Sequence, residues 1–264
     1  MRWMRFLLLG FALVAPCISL ALLGSPICLV LAPIFASHLL WLYATLVPKS
    51  QWWGPVVTSF ATSEQEVWLT LDDGPSPAHT LQLLDLLERF DARATFFVIG
   101  RQAEKHPHLI TEILARGHQL ANHTSTHPVA SFWCAGPRMV AREIDQGAAP
   151  LRATPERPVR YFRAPAGLKS PFLHPALERR GLRLIGWTVR GLDTALSDAV
   201  RVAARIEQQA RPGAIILLHE ARRVENAPTF SPRCLELTLQ RLTERGYRFV
   251  IPQPEQLRTR GGGR

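Results

Sequence analysis

Downstream of Ser63, short apolar runs rich in β-branched residues alternate with longer stretches of helical period, and no other feature constrains the fold of this chain as strongly. Strand-length runs fall at 66–71, 94–99, 119–122, 159–163, 183–187, 214–219 and 247–251. Helical stretches at 80–90, 107–116, 138–151, 171–180, 197–209 and 232–245 lie between them. Such alternation predicts an α/β fold of parallel strands joined by crossover helices. Gly117, Gly181 and Gly246 each follow an Arg at a helix end and precede a new strand, the usual position of a capping glycine.

From Phe6 to Val47 the chain contains no Asp, Glu, Lys or Arg, whereas the remainder has the composition of a soluble domain. With 264 residues there is room for one large domain and an appendage. The expected division is a membrane anchor at 1–48, a linker at 49–62, the α/β domain at 63–256 and a flexible basic tail at 257–264. Gly24-Ser25-Pro26 splits the uncharged region into 6–23 and 27–47, each near the ~20 residues that cross a bilayer as helix. Pro16 and Pro33 are compatible with spanning helices when neighbours satisfy the freed carbonyls. A rival reading makes Arg2 and Arg5 the n-region and 6–20 the h-region of a cleaved signal peptide. The second apolar segment, following at once, favours two spans in the cytoplasmic membrane of a bacterium. Arg2, Arg5 and Lys49 then share one side, which the positive-inside rule places in the cytoplasm. Three charges carry that rule here, and they leave the side on which the domain lies open.

The net charge of +10 is carried mostly by scattered Arg, the only lysines being Lys49, Lys105 and Lys169. No basic run with interleaved aromatics accompanies it, so the sequence gives no nucleic-acid footprint. Attraction to anionic lipid headgroups or to a phosphorylated substrate fits the charge better. Cys17 and Cys28 sit in the apolar segments, and Cys134 and Cys234 lack metal-site spacing, so the redox compartment and any pairing stay open. Nothing in the sequence specifies a protein partner.

Five motifs place titratable groups just past apolar strands. Leu69-Thr70-Leu71-Asp72-Asp73-Gly74-Pro75 runs a strand into two carboxylates; alone it reads as a turn. Asn122-His123-Thr124-Ser125-Thr126-His127 sets two imidazoles four residues apart, able to converge on one ion if the backbone between them coils. Two imidazoles with one carboxylate would leave open positions on Zn²⁺ or a similar divalent ion for water and substrate. Tyr161-Phe162-Arg163-Ala164-Pro165-Ala166-Gly167 delivers a guanidinium before a sharp turn. Trp187-Thr188-Val189-Arg190-Gly191-Leu192-Asp193 and Ile215-Ile216-Leu217-Leu218-His219-Glu220 complete the set. Singly, Asp193 would be a turn residue and His219 a core or surface histidine. Together they occupy the carboxyl ends of predicted parallel strands, where a β/α barrel gathers its loops into one mouth.

In these motifs the chain, over about 63–252, resembles the polysaccharide deacetylase family, also known as the NodB homology domain or carbohydrate esterase family 4. That resemblance implies an irregular (β/α)7 barrel, here preceded by the N-terminal transmembrane region, and removal of N- or O-acetyl groups from sugars. Thr70–Gly74 is similar to the family's Thr-Phe-Asp-Asp-Gly, with Leu71 for Phe. The resemblance implies Asp72 as general base and Asp73, His123 and His127 as ligands of a divalent metal, zinc or another. It further implies that Arg163 orients the base, that the Ala166 N–H binds the oxyanion, and that Leu217 lines the acetyl-methyl pocket. His219 becomes the general acid, oriented by Asp193. Ala166 replaces an aromatic residue, and Glu220 stands where Asp is usual. The pattern Asp-x-x-Asp-Trp appears as Arg190-Gly191-Leu192-Asp193-Thr194, which marks Arg190 and Thr194 as positions where specificity departs from the family.

The implied substrate is an acylated aminosugar or polysaccharide. Membrane placement and positive charge support an alternative within the same resemblance, a deacylase or deformylase of a lipid-linked aminosugar in contact with membrane lipid. A non-catalytic carbohydrate-binding membrane protein is the alternative of another class, since fold alone does not fix function.

Overall fold

The computed structural model describes residues 2–151, 158–220 and 230–259. Helices α1 (Arg2–Ala21) and α2 (Ile27–Leu46) form a packed hairpin. Only 17% and 11% of their apolar spans are buried within the protein, so they are not core helices of the barrel. Both are long and apolar enough to cross a membrane, a test that a leader sequence also passes. All four cysteines are free.

The other described residues build one ten-stranded sheet. Its strands are β1 (Val57–Phe60), β2 (Glu66–Gly74), β3 (Ala94–Val98), β4 (Gln119–Asn122), β5 (Tyr161–Phe162), β6 (Arg183–Leu184), β7 (Val189–Arg190), β8 (Ala214–His219), β9 (Arg248–Phe249) and β10 (Leu257–Thr259). The spatial order is β10-β1-β8-β2-β3-β4-β5-β6, with β7 beside β8 and β9 beside β2. The sheet curls until Val57 of β1 meets Ile185, just past β6, in a single bridge. The Gly186 N–H also donates to the Val57 carbonyl (2.7 Å). The result is the mixed α/β barrel expected, with a seam one bridge wide.

Three expectations are corrected. The seventh ring member is β1, antiparallel to β8, whereas the strand expected at 247–251 shortens to β9 and pairs with β2 at its amino end. The linker expected at 49–62 therefore contains a barrel strand, and Trp53 and Val56 ahead of it are buried. Likewise 257–259, expected in a flexible tail, form β10 on the outer edge of β1; the tail from 260 on lies outside the described residues.

The alternation along the strands sorts the core into two layers. Val67, Leu69 and Leu71 of β2 face outward and pack with Leu83, Leu84 and Leu87 of the helix Thr80–Arg89, each buried leucine contributing about 2 kcal/mol. The intervening Trp68 faces inward with Phe97, Ala121, Tyr161 and Ile215, filling the barrel floor. Helix ends use the expected device, Gly117 and Gly246 taking φ of 80° and 77°.

Candidate active site

Two residues further along each inward-facing row stand the polar groups of the mouth. Trp68 leads to Thr70 and Asp72, Ala121 to His123, Tyr161 to Arg163, and Ile215 to Leu217 and His219. The period of two along a strand thus carries every one of these side chains to the same end of the barrel.

Asp73 should by that alternation point away from Asp72. The pairing of β2 with β3 slips between Asp72 and Gly74, and Asp73 adopts φ 73°, a bulge that turns its carboxylate toward the mouth. Among the described residues, five of the six non-glycine positions with positive φ are Asp73, Thr124, His127, Ala166 and Leu192. All lie in these strand-end motifs, the concentration of backbone strain found at functional sites.

The loop after β4 coils as the His-x-x-x-His spacing requires. Asn122 Oδ1 accepts the Thr124 N–H (2.8 Å), and Thr124 Oγ1 accepts the His127 N–H (2.9 Å). Glu143, buried on the helix Pro137–Ala148, accepts from the Ser125 and Thr126 N–H groups and from the Thr126 hydroxyl. His123 Nε2 and His127 Nε2 then lie 3.4 and 3.3 Å from Asp73 Oδ1. His123 Nδ1 is 2.9 Å from the Arg163 carbonyl, which leaves Nε2 as the free donor atom. The three ligand atoms fall within 4.8 Å of one another. Asp73 Oδ1 is buried without a hydrogen-bond partner among the described residues. A carboxylate oxygen left unsatisfied between two imidazole nitrogens fits a divalent cation.

Asp72 is tied from behind. Arg163, itself 1% exposed, donates from Nη1 to Asp72 Oδ1 (2.6 Å) and to Thr70 Oγ1 (2.9 Å), and from Nη2 to the Gly186 carbonyl (3.0 Å). Its guanidinium stacks over Phe97, 4.0 Å from the ring centroid. Across the mouth, Asp193 accepts the His219 backbone N–H (2.7 Å) and faces His219 Nδ1 at 3.0 Å.

These contacts set the protonation landscape. Burial pushes the Asp73 carboxyl up, but the neighbouring imidazoles of His123, His127 and His219 outweigh it and hold the group well below the usual carboxylate range. Burial pulls His219 down, yet Asp193, and then Asp72 and Asp73, raise it above an ordinary histidine. His127 is lowered, by burial and by His123.

Asp72, Asp73, His123, His127, Ala166, Leu217, His219, Arg190 and Thr194 all line one cavity of about 200 Å³; Arg163 and Asp193 stand behind it. Arg190 Nη2 donates to Thr194 Oγ1 (3.1 Å), so the two departures from the family pattern touch. Trp187, not expected in the site from sequence, supplies an aromatic wall. Glu220 is fully buried, accepts from the Ser76 N–H and the Thr80 hydroxyl, and its carboxylate occupies the space that a side chain at residue 74 would need. Burial raises its carboxyl to about 7.

The polysaccharide deacetylase profile matches residues 60–185. The chitooligosaccharide deacetylase of Sinorhizobium fredii is 39% identical over 179 residues, 67% of this chain and 78% of the relative. The peptidoglycan-N-acetylglucosamine deacetylase of Bacillus cereus is 30% identical over 75% of this chain and 91% of its own. A family 4 carbohydrate esterase from Streptomyces lividans, solved with acetate, superposes with a TM-score of 0.65 at 25% identity, covering 75% of this chain and 97% of that one. The chain belongs to the polysaccharide deacetylase family.

Proposed function

We propose that this protein hydrolyses the acetamide of an N-acetylated aminosugar, with a divalent metal, zinc or a similar ion, at Asp73, His123 and His127. The observation that carries this reading is the convergence of those three residues with Asp72 and His219 on one small cavity. The family's named relatives act on chitooligosaccharide and peptidoglycan, which supports an N-acetylglucosamine-type substrate.

When bound, the ion supplies Lewis-acid activation of water and of the acyl carbonyl. The protein's own groups do the rest. Asp72, fixed through Oδ1 by Arg163, takes the proton of the attacking water with its second oxygen. Charge develops on the former carbonyl oxygen, where the Ala166 N–H stabilises it. The acetyl methyl packs on Leu217, buried at the cavity wall. His219, oriented through Nδ1 by Asp193, donates a proton to the nitrogen as the C–N bond breaks, releasing acetate and a free amine. Helices α1 and α2 anchor this barrel in the membrane, in keeping with their exposed apolar faces.

Incubating the purified protein with N-acetylated chitooligosaccharides tests the reaction. Stoichiometric acetate and free amine, dependent on added divalent metal, are expected. Binding without any acetate release would instead support the non-catalytic alternative.

A further inference from the structure

The wall of the catalytic cavity is built onto the end of α2. Lys169, wholly buried, donates from Nζ to the carbonyls of Val47 (2.7 Å) and Pro48 (2.9 Å), the two residues that follow α2. The same ammonium reaches the Gly167 carbonyl at 3.4 Å, and the Lys169 N–H donates to Thr45 in the helix's last turn. Pro48 packs so closely on Gly167 that a Cβ there would lie 2.6 Å from Pro48 Cβ and 2.7 Å from the Trp187 ring. Lys49 adds a bond from Nζ to the Thr188 carbonyl (3.0 Å). Gly167 and Trp187 both line the catalytic cavity. Pro48 is the second residue past the last helical one, so the chain keeps it within about 7 Å of the helix end.

Aromatic residues also cluster where α2, read as a membrane span, ends. Trp41 and Tyr43 near the end of α2 meet Trp53 and Trp52 just after it, with ring centroids 4.7 and 4.6 Å apart. Aromatic residues of this kind collect at the headgroup level, and this group brackets Pro48 in the chain. On the neighbouring loops of the mouth, Val129 and Phe172 expose apolar side chains, 41% and 44% accessible. The cavity also contains a cation in search of an acceptor. Arg190 Nε is buried without a hydrogen-bond partner among the described residues, although its Nη2 holds Thr194.

From this juxtaposition we infer that the substrate is membrane-borne: an N-acylated aminosugar joined through a phosphate to a lipid carrier. The carrier stays in the bilayer beside α2, the sugar enters the mouth at headgroup level, and Arg190 meets the phosphate. This rests on the deacetylase reading and names its substrate class. It holds for either orientation of the anchor, because barrel mouth and helix end move together.

The test compares two probes with the full-length chain in phosphatidylethanolamine–phosphatidylglycerol vesicles. One is N-acetylglucosaminyl phosphate on a polyprenol in the same vesicles, the other soluble N-acetylchitotetraose. The lipid-borne probe is expected to be deacetylated with a kcat/KM at least tenfold higher, and Arg190→Gln is expected to narrow that ratio by roughly tenfold, a charge-assisted contact to phosphate being worth that much. Equal or faster turnover of the soluble tetramer overturns the membrane-borne substrate while leaving the deacetylase reading intact. Failure to turn over either probe overturns both.

Discussion

The two ends of this barrel each hold buried histidines, and they behave in opposite ways. At the amino end of β4, His118 is 2% exposed, accepts the Ala94 N–H through Nδ1 and stacks edge-on against Phe96. Burial first, and then the charges of Arg93 and Arg116, pull it down to about 4, so it is a neutral core residue. At the carboxyl end, His123 is equally buried, yet the Asp72 and Asp73 carboxylates outweigh that burial and raise it. Burial sets the cost of a charge, and the sign of the neighbours decides whether it is carried. The floor is satisfied and serves stability; the mouth keeps, among the described residues, a buried carboxylate oxygen with no hydrogen-bond partner, and serves chemistry.

Replacing Asp72 with Asn attacks the mouth where the account is most demanding. The expected loss is about 10²–10⁴-fold in kcat, with metal content retained, read by acetate release alongside elemental analysis; undiminished turnover would remove the base assignment. Asp193→Asn acts through His219. Because Asp193 raises His219, its removal lowers that histidine, and the alkaline limb of the pH–kcat/KM profile should move to lower pH, with a rate loss of about 10²-fold at its former plateau. An unmoved limb would assign the general acid elsewhere. Glu143→Ala frees the loop between His123 and His127, and metal affinity at the proposed site should fall about 10–100-fold in a chelator competition.

The floor responds differently. His118 titrates lower in the folded chain than in the unfolded one, so the stability it contributes is present above pH 6.5 and lost as pH falls through about 4. That window is worth about 3 kcal/mol. His118→Gln should flatten it in urea titrations across pH, with acetate release per folded molecule unchanged. A loss of catalysis in this variant would erase the distinction between the two ends.

The residues of the mouth were legible in the sequence because each ends an apolar strand run. Inward rows such as Trp68-x-Thr70-x-Asp72 and Ile215-x-Leu217-x-His219 carry the period of two that delivers them to one end. The closing strand β1 was not legible. It runs antiparallel, outside the strand–helix alternation, and Pro55 and the polar Thr58 and Ser59 give it the look of a linker. β10, reading Leu-Arg-Thr ahead of a glycine-rich end, looks like tail. Glu143 has no motif to announce it, since an acid on a helix is ordinarily solvated and only the fold turns it inward. The left-handed backbone at Asp73, His127 and Ala166 likewise leaves no mark, because none of these residues is the glycine that φ would favour.

The proposed chemistry requires Asp73, His123 and His127 to hold one metal ion. Elemental analysis of the purified full-length chain, reconstituted with Zn²⁺ and dialysed, tests it directly. One equivalent per chain is expected in the wild type, and loss of that equivalent in both His123→Ala and His127→Ala, with the variants still folded by circular dichroism. Full metal content in either folded variant would contradict it.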